Sequence, residues 1–105
     1  MAEAVQSCPV EEAIKVIGGK WKLLVLRSLL LNGPQRYTDL LRTVTAISQK
    51  ELTRNLRELA EAGLLNATAG ETQSAKYALT PLGEGLMPIF QDLLVWGRQL
   101  LTARI

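Results

Sequence analysis

The chain has 105 residues, 48% of them hydrophobic, enough apolar mass for one small core and for a single domain spanning 1–105 that would gain from dimerising. Its longest apolar run, residues 23–31, is interrupted by Arg27 and Ser28 and falls far short of the roughly 20 residues a bilayer span needs. The first seven residues lack the basic and apolar stretches of a secretion signal, and the one cysteine, Cys8, cannot close an intrachain disulfide, so a reducing cytoplasmic setting without membrane contact is expected.

The net charge of +2 conceals a segregation. Between residues 15 and 57 nine cations face two anions, so that stretch carries +7 and the remainder −5. Such asymmetry is an electrostatic footprint for a polyanion, the plainer alternative being a solvated basic face.

After an N-terminal arm of residues 1–8, Pro9–Ile17 reads as a first helix, with Ser7 or Cys8 as cap, Pro9 in the first helical position and Glu11 and Glu12 in the first turn. Gly18-Gly19 ends it. Residues 20–31 read as a second helix, apolar nearly all round and therefore central, stopped by Asn32-Gly33-Pro34. An extended piece over 35–37 leads to a third helix over 38–44 that buries Leu40, Leu41 and Val44, and residues 45–47 form a turn.

Residues 48–62 form the most informative segment. Leu52, Leu56 and Leu59 fall on one stripe at a hundred degrees per residue, with Lys50, Arg54 and Arg57 opposite and Gln49 and Thr53 on the flank. Ser48-Gln49-Lys50-Glu51 is a capping box and Gly63 closes the helix. A helix that packs by its leucines and presents its cations outward, preceded by a tight turn and a short helix, is what a helix-turn-helix protein sets in a major groove.

Residues 64–68 and 75–79 are strand candidates joined by a polar tip over 69–74, a wing. Thr80 caps a last helix over 81–105 in which Leu82, Leu86, Ile89, Phe90, Leu93, Gly97, Leu100 and Leu101 keep a three-four spacing, while Pro88 should bend or split it. So long an apolar helix lacks cover within one small domain, and a second copy would supply it. The order of elements is that of a winged helix-turn-helix domain, α+β and mainly α.

Enzyme chemistry lacks its parts. There is no histidine and one cysteine, and no carboxylates are spaced for a metal or an acid-base pair, so neither metal nor cofactor is expected. Gly18-Gly19-Lys20 is a turn, without the spacing or following hydroxyl of a phosphate loop. Trp21 and Tyr37 are expected in the core, Trp21 fixing the first helix against the second, in preference to base-stacking roles.

The segments Cys8-Pro9-Val10, Ile17-Gly18-Gly19-Lys20-Trp21, Arg36-Tyr37-Thr38-Asp39-Leu40, Ile47-Ser48, Leu52 with Leu56 and Leu59, Gly63-Leu64 and Tyr77-Ala78-Leu79-Thr80-Pro81-Leu82-Gly83 together resemble the HxlR family of bacterial transcription regulators, a branch close to the MarR-like winged-helix proteins. Ala46 stands where that family often has glycine, and the wing lacks a proline common before its second strand.

The resemblance implies a homodimer that binds an inverted-repeat operator in double-stranded DNA near its own or a neighbouring gene; repressor action in the bacterial cytoplasm, on the nucleoid, is expected in preference to activation. Several members respond to quinones, aldehydes or oxidants through a cysteine at the position of Cys8; a small buried thiol that merely packs is the alternative. Ser48, Gln49, Lys50, Thr53 and Arg54 are expected to reach base edges or nearby phosphates, with Arg57 on backbone. Arg36, Lys76 and the wing-tip residues Thr72, Gln73 and Ser74 would hold flanking phosphates. The dimer seam is expected along Leu86, Ile89, Phe90, Leu93, Trp96, Gly97, Leu100 and Leu101. Two other readings stay open: a protein-binding module that leaves DNA alone, in which the cations of residues 48–62 would be dispensable, and a regulator induced by a small aromatic ligand.

Overall fold

The computed structural model describes residues 8–68 and 75–104. Helix α1, Pro9–Ile17, starts on the proline and stops at the two glycines, of which Gly19 sits at φ +97°. Helix α2, Lys22–Asn32, ends at Gly33 with φ +77°, a left-handed stop that an L side chain resists. Strand β1, Gln35–Arg36, then leads into α3, Tyr37–Thr43, and after a turn into α4, Gln49–Glu61. Within that turn Ala46 adopts φ +73°. The backbone there has kept the left-handed geometry that suits glycine although the side chain is not glycine, at a strain of about 1 kcal/mol.

Strands β2, Leu65–Ala67, and β3, Lys76–Leu79, form the base of the wing. With β1 they make a three-stranded antiparallel sheet in the order β1-β3-β2, in which Gln35 faces Tyr77, Arg36 faces Lys76, and Leu65 faces Leu79. The wing tip expected over 69–74 lies outside the described residues. The last helix is split in two, α5 over Pro81–Glu84 and α6 over Met87–Ala103. A first-turn proline needs no N–H partner, so restarting a helix just before Pro88 avoids the lost bond that a continuous helix would suffer.

The core is built by one face of each element around α2. Val25, Leu26 and Leu29 meet Leu40 and Val44, the α4 stripe of Leu52, Leu56 and Leu59, and Leu64 and Leu65. Helix α2 is less enclosed than its composition suggests, for Leu24 and Leu31 are exposed; α3, α4 and β3 cover it on one side, and a helix apolar all round needs cover all round. Leu86 corrects the expected dimer seam. It is only 9% exposed and belongs to the protomer's own core, because it stands at the α5–α6 junction, where the chain still lies against the globule.

A polar ring, buried at Ser28 and Gln35 and open to solvent at Thr43, ties α2, β1 and α3 together. Gln35 Nε2 donates to the Ser28 hydroxyl (2.9 Å) and carbonyl (3.0 Å), the Ser28 and Thr43 hydroxyls bond each other at 2.9 Å, and Thr43 Oγ1 donates to Gln35 Oε1 at 3.1 Å. Since Thr43 gives its proton to Gln35, Ser28 must give its own to Thr43, and the three side chains close a cycle that pairs the side-chain polar atoms of buried Ser28 and Gln35.

The corner after β3 is held just as closely. Thr80 Oγ1 donates to the Gly63 carbonyl (2.6 Å) and accepts from Gly83 N–H (3.2 Å), while Thr80 N–H donates to the Leu64 carbonyl (2.9 Å). A Cβ on Gly83 would run into that same Leu64 oxygen and press on Leu79 Cδ2 at 3.2 Å. Helix propensity favours Gly→Ala by about 1 kcal/mol, whereas overpacking against backbone costs about 1–3 kcal/mol. Gly83→Ala is therefore expected to be destabilising, with a thermal midpoint about 5–10 °C lower. An unchanged or raised midpoint in a calorimetric scan would show that the corner yields.

Candidate nucleic-acid interface

The exposed face of α4 is set by its first turn. Ser48 Oγ accepts from Glu51 N–H (3.1 Å), and Glu51 Oε1 accepts from the N–H (3.2 Å) and hydroxyl (3.0 Å) of Ser48. The capping box read from the sequence is thus complete. Its second carboxylate oxygen has a partner that no local pattern reveals: Trp21 Nε1–H donates to Glu51 Oε2 at 2.9 Å across thirty residues. Trp21 is buried, as expected, but its indole anchors the α2 corner to the start of α4, a tie the expected packing of α1 on α2 leaves out. Lys20 Nζ lies 4.6 Å from the centre of the same ring.

Three donors on one carboxylate hold Glu51 below its usual 4.5, the Ser48 N–H contributing most, then the Ser48 hydroxyl, then Trp21. Because the folded-state value is depressed, the stabilisation is present above the ordinary glutamate range and is lost as pH falls through the lowered value. Trp21→Phe removes one donor and keeps a ring, so the variant should be less stable than the parent at pH 7 and the gap between the two should narrow as pH falls through the lowered value. Urea midpoints measured from pH 7 to pH 3 check this; parallel curves for the two proteins would mean that the indole bond does not stabilise the carboxylate.

Along the outer side of α4, Ser48, Gln49, Lys50, Glu51, Thr53, Arg54 and Arg57 line one broad open groove, with Tyr37 of α3 as its other wall. The side chains of Lys15, Lys22 and Arg42 are engaged by Glu12, Glu58 and Asp39. Lys50, Arg54 and Arg57 are exposed, and among the described residues none of them forms a salt bridge. Glu58 is held below its usual range chiefly by the Lys22 hydrogen bond, which keeps that acid occupied on the side of α4 facing α2. Asn55 also turns inward and donates to the Glu51 carbonyl (2.7 Å). The side of α4 turned to solvent is left cationic.

Tyr37 departs from the core position expected of it. Its ring is half-buried against the core, but its hydroxyl reaches out to the Gln49 carbonyl (2.9 Å) and the Thr53 hydroxyl (2.8 Å). Arg36 and Lys76, read separately from the sequence, are brought opposite each other on β1 and β3, and both are exposed. Like charges in directly opposed strand positions destabilise a sheet. Thr72, Gln73 and Ser74 lie outside the described residues.

Away from this face, α6 buries none of its residues. Ile89, Leu93, Leu94, Val95, Trp96 and Leu101 are exposed, Trp96 by 58% and Leu101 by 63%, while Phe90 packs partly against the core and Gly97 and Leu100 are half-buried. Helix α1 likewise buries none and exposes Val10 and Ile14; that second apolar surface was not singled out from the sequence, though Val10 and Ile14 stand four apart. Cys8 is exposed at the α1 N-cap, where its side chain makes no capping hydrogen bond.

A helix-turn-helix with its second helix capped, cationic and outward, followed by a β-hairpin, is a winged-helix arrangement, and residues 16–104 match the model of the HxlR-like helix-turn-helix family. The chain belongs to that family. Among its relatives, the HTH-type transcriptional regulator YkvN of Bacillus subtilis (strain 168) is 46% identical over 93 residues, which are 87% of this chain and 78% of that protein. An HTH-type transcriptional regulator of Methanothermobacter thermautotrophicus is 41% identical over 93 residues, covering 87% and 70%.

The solved structure of an HTH-type regulator, ytcD, superposes with a TM-score of 0.81 at 35% identity over 91% of this chain and 99% of that one. The quinone-bound YodB of B. subtilis gives 0.77 at 31% over 88% and 99%, and the oxidised redox regulator HypR gives 0.75 at 34% over 88% and 96%. This HxlR-like chain is therefore a transcription regulator of the helix-turn-helix type and not an enzyme. Among the described residues no helix is long and apolar enough to cross a membrane.

Proposed function

We propose that this HxlR-like chain is a homodimeric, sequence-specific repressor, a single domain over 1–105 in which each protomer lays α4 in a major groove of an inverted-repeat operator on the nucleoid. The observation that carries the reading is the set of exposed cations on α4, Lys50, Arg54 and Arg57, which form no salt bridge among the described residues and face the same groove as Ser48, Gln49 and Thr53. In this arrangement Ser48, Gln49, Lys50, Thr53 and Arg54 meet base edges or nearby phosphates and Arg57 grips backbone. The opposed pair Arg36 and Lys76 supports a second phosphate contact at the wing, since an anion between them relieves a repulsion that the sheet otherwise carries. Thr72, Gln73 and Ser74 would extend it.

The dimer seam is assigned to the apolar stripe of α6, from the exposed Ile89, Leu93, Trp96 and Leu101 to the half-buried Phe90, Gly97 and Leu100, with the apolar face of α1 as a second contributor. Capture of genomic fragments by the purified protein tests the reading. If a dimer neutralises about six to ten phosphates, affinity falls by roughly three to five decades between 50 and 200 mM salt. A flat salt response, or capture of no fragment, would favour a winged helix used only for protein contacts.

Regulation through Cys8 is supported by the exposure of its thiol at the start of α1; a cysteine that merely packs has no reason to face solvent. With one cysteine in the chain, a reversible oxidised product is an intersubunit Cys8–Cys8 bond or a mixed disulfide with a small thiol. Cys8→Ser should bind DNA normally when reduced and no longer respond to diamide or quinone. A response that survives the substitution would move the effector elsewhere, to the shallow cleft that α2 and β3 form with Glu84 and Met87 beside α6, as a small aromatic inducer would require.

A further inference from the structure

Tyr37 has one hydroxyl proton and two oxygen neighbours. The Gln49 carbonyl, 2.9 Å away, can only accept, so the tyrosine proton goes there. The bond to Thr53, 2.8 Å away, then has a single consistent direction: Thr53 Oγ1–H donates and the tyrosine oxygen accepts. An exposed threonine in the middle of the α4 groove has thereby given away its only proton inside the protein.

We infer that Tyr37 is a specificity-determining residue: by taking the Thr53 hydroxyl proton, it restricts Thr53 to offering lone pairs and a methyl group to the DNA. The inference rests on α4 being the helix that enters the major groove. A free threonine hydroxyl serves equally as donor or acceptor and tells bases apart poorly. One held as acceptor suits the amino groups of adenine (N6) and cytosine (N4), and its methyl suits the C5-methyl of thymine. Guanine presents N7 and O6, both acceptors, and meets Thr53 with lone pair against lone pair. At one position in each half-site the protein is thus set against guanine by a residue on α3 that need not touch the DNA.

Two further features give the bond this role. Tyr37 stands at the first position of α3 and Thr53 in the second turn of α4, so the bond spans the two helices of the helix-turn-helix and fixes the threonine rotamer against a different element. The groove in which both residues lie also carries Lys50 and Arg54, so the restricted threonine is among the side chains that would meet base edges.

The test is selection of bound sequences from a randomised duplex pool with the wild-type protein, Tyr37→Phe and Thr53→Val. Tyr37→Phe keeps the ring and frees the Thr53 proton. It is expected to relax the exclusion of guanine at one position per half-site by about fivefold or more, leaving other positions as they were. Thr53→Val keeps the methyl and has no proton to give, so its preference should be indifferent to adding Tyr37→Phe.

Unchanged base preference in a folded Tyr37→Phe protein overturns the inference, and so does weakening that is uniform across all sequences, which would make Tyr37 a clamp on α4 and nothing more. Selection of no sequence by the wild-type protein removes the DNA-reading helix itself, and the inference with it. Selection by the wild-type protein without a Tyr37 effect leaves that reading standing and removes the inference alone.

Discussion

A protein with Lys50, Arg54 and Arg57 all replaced by alanine should lose specific duplex binding while its helical circular dichroism and its association state stay those of the parent. The three side chains are exposed and form no salt bridge among the described residues, and alanine favours helix at least as well as they do, so the fold has little reason to respond. The electrostatics have every reason to. If each cation neutralises one phosphate, a dimer loses six contacts, and the dependence of log K on log salt becomes shallower by about five. Titration of operator fragments at several salt concentrations reads both effects. Specific binding retained by the folded variant would take α4 out of the interface.

Leu93→Glu should give a monomer in sedimentation, with operator affinity falling at the same time. Leu93 is 42% exposed in the protomer, so a carboxylate there does no harm to an isolated chain and becomes costly only if a second copy covers it. Two half-sites about 34 Å apart can be held by one dimer and not by one monomer, which is why DNA affinity should follow assembly. Leu86→Glu is the informative contrast. Leu86 faces the protomer's own core, and a charge there should unfold the chain before it dissociates anything. A stable Leu93→Glu dimer would place the seam elsewhere, first of all on Val10 and Ile14 of α1.

Much of this architecture is legible in the sequence because the signals that delimit its elements are local. Pro9 and the Gly18-Gly19 pair bound α1, Ser48 and Glu51 with Gly63 bound α4, and the spacing of Leu52, Leu56 and Leu59 orients it; each acts within a few residues along the chain and survives in the fold. The cationic face follows from the same periodicity, since placing the leucines inward leaves Lys50, Arg54 and Arg57 nowhere else to go.

Only the tertiary structure decides contacts between residues that share no period. The bond from Trp21 to Glu51, the ring of Ser28, Gln35 and Thr43, and the bond of Tyr37 to Thr53 join different elements. Each depends on where packing brings two surfaces together, and neither partner's sequence neighbourhood records the other. Leu86 shows the same limit on an apolar residue: its spacing continues that of Leu93 and Leu100, yet the break in the helix before Pro88 turns it into its own core while the stripe beyond faces outward. Periodicity determines which face of a helix is apolar, and the path of the chain determines whether that face meets its own protomer.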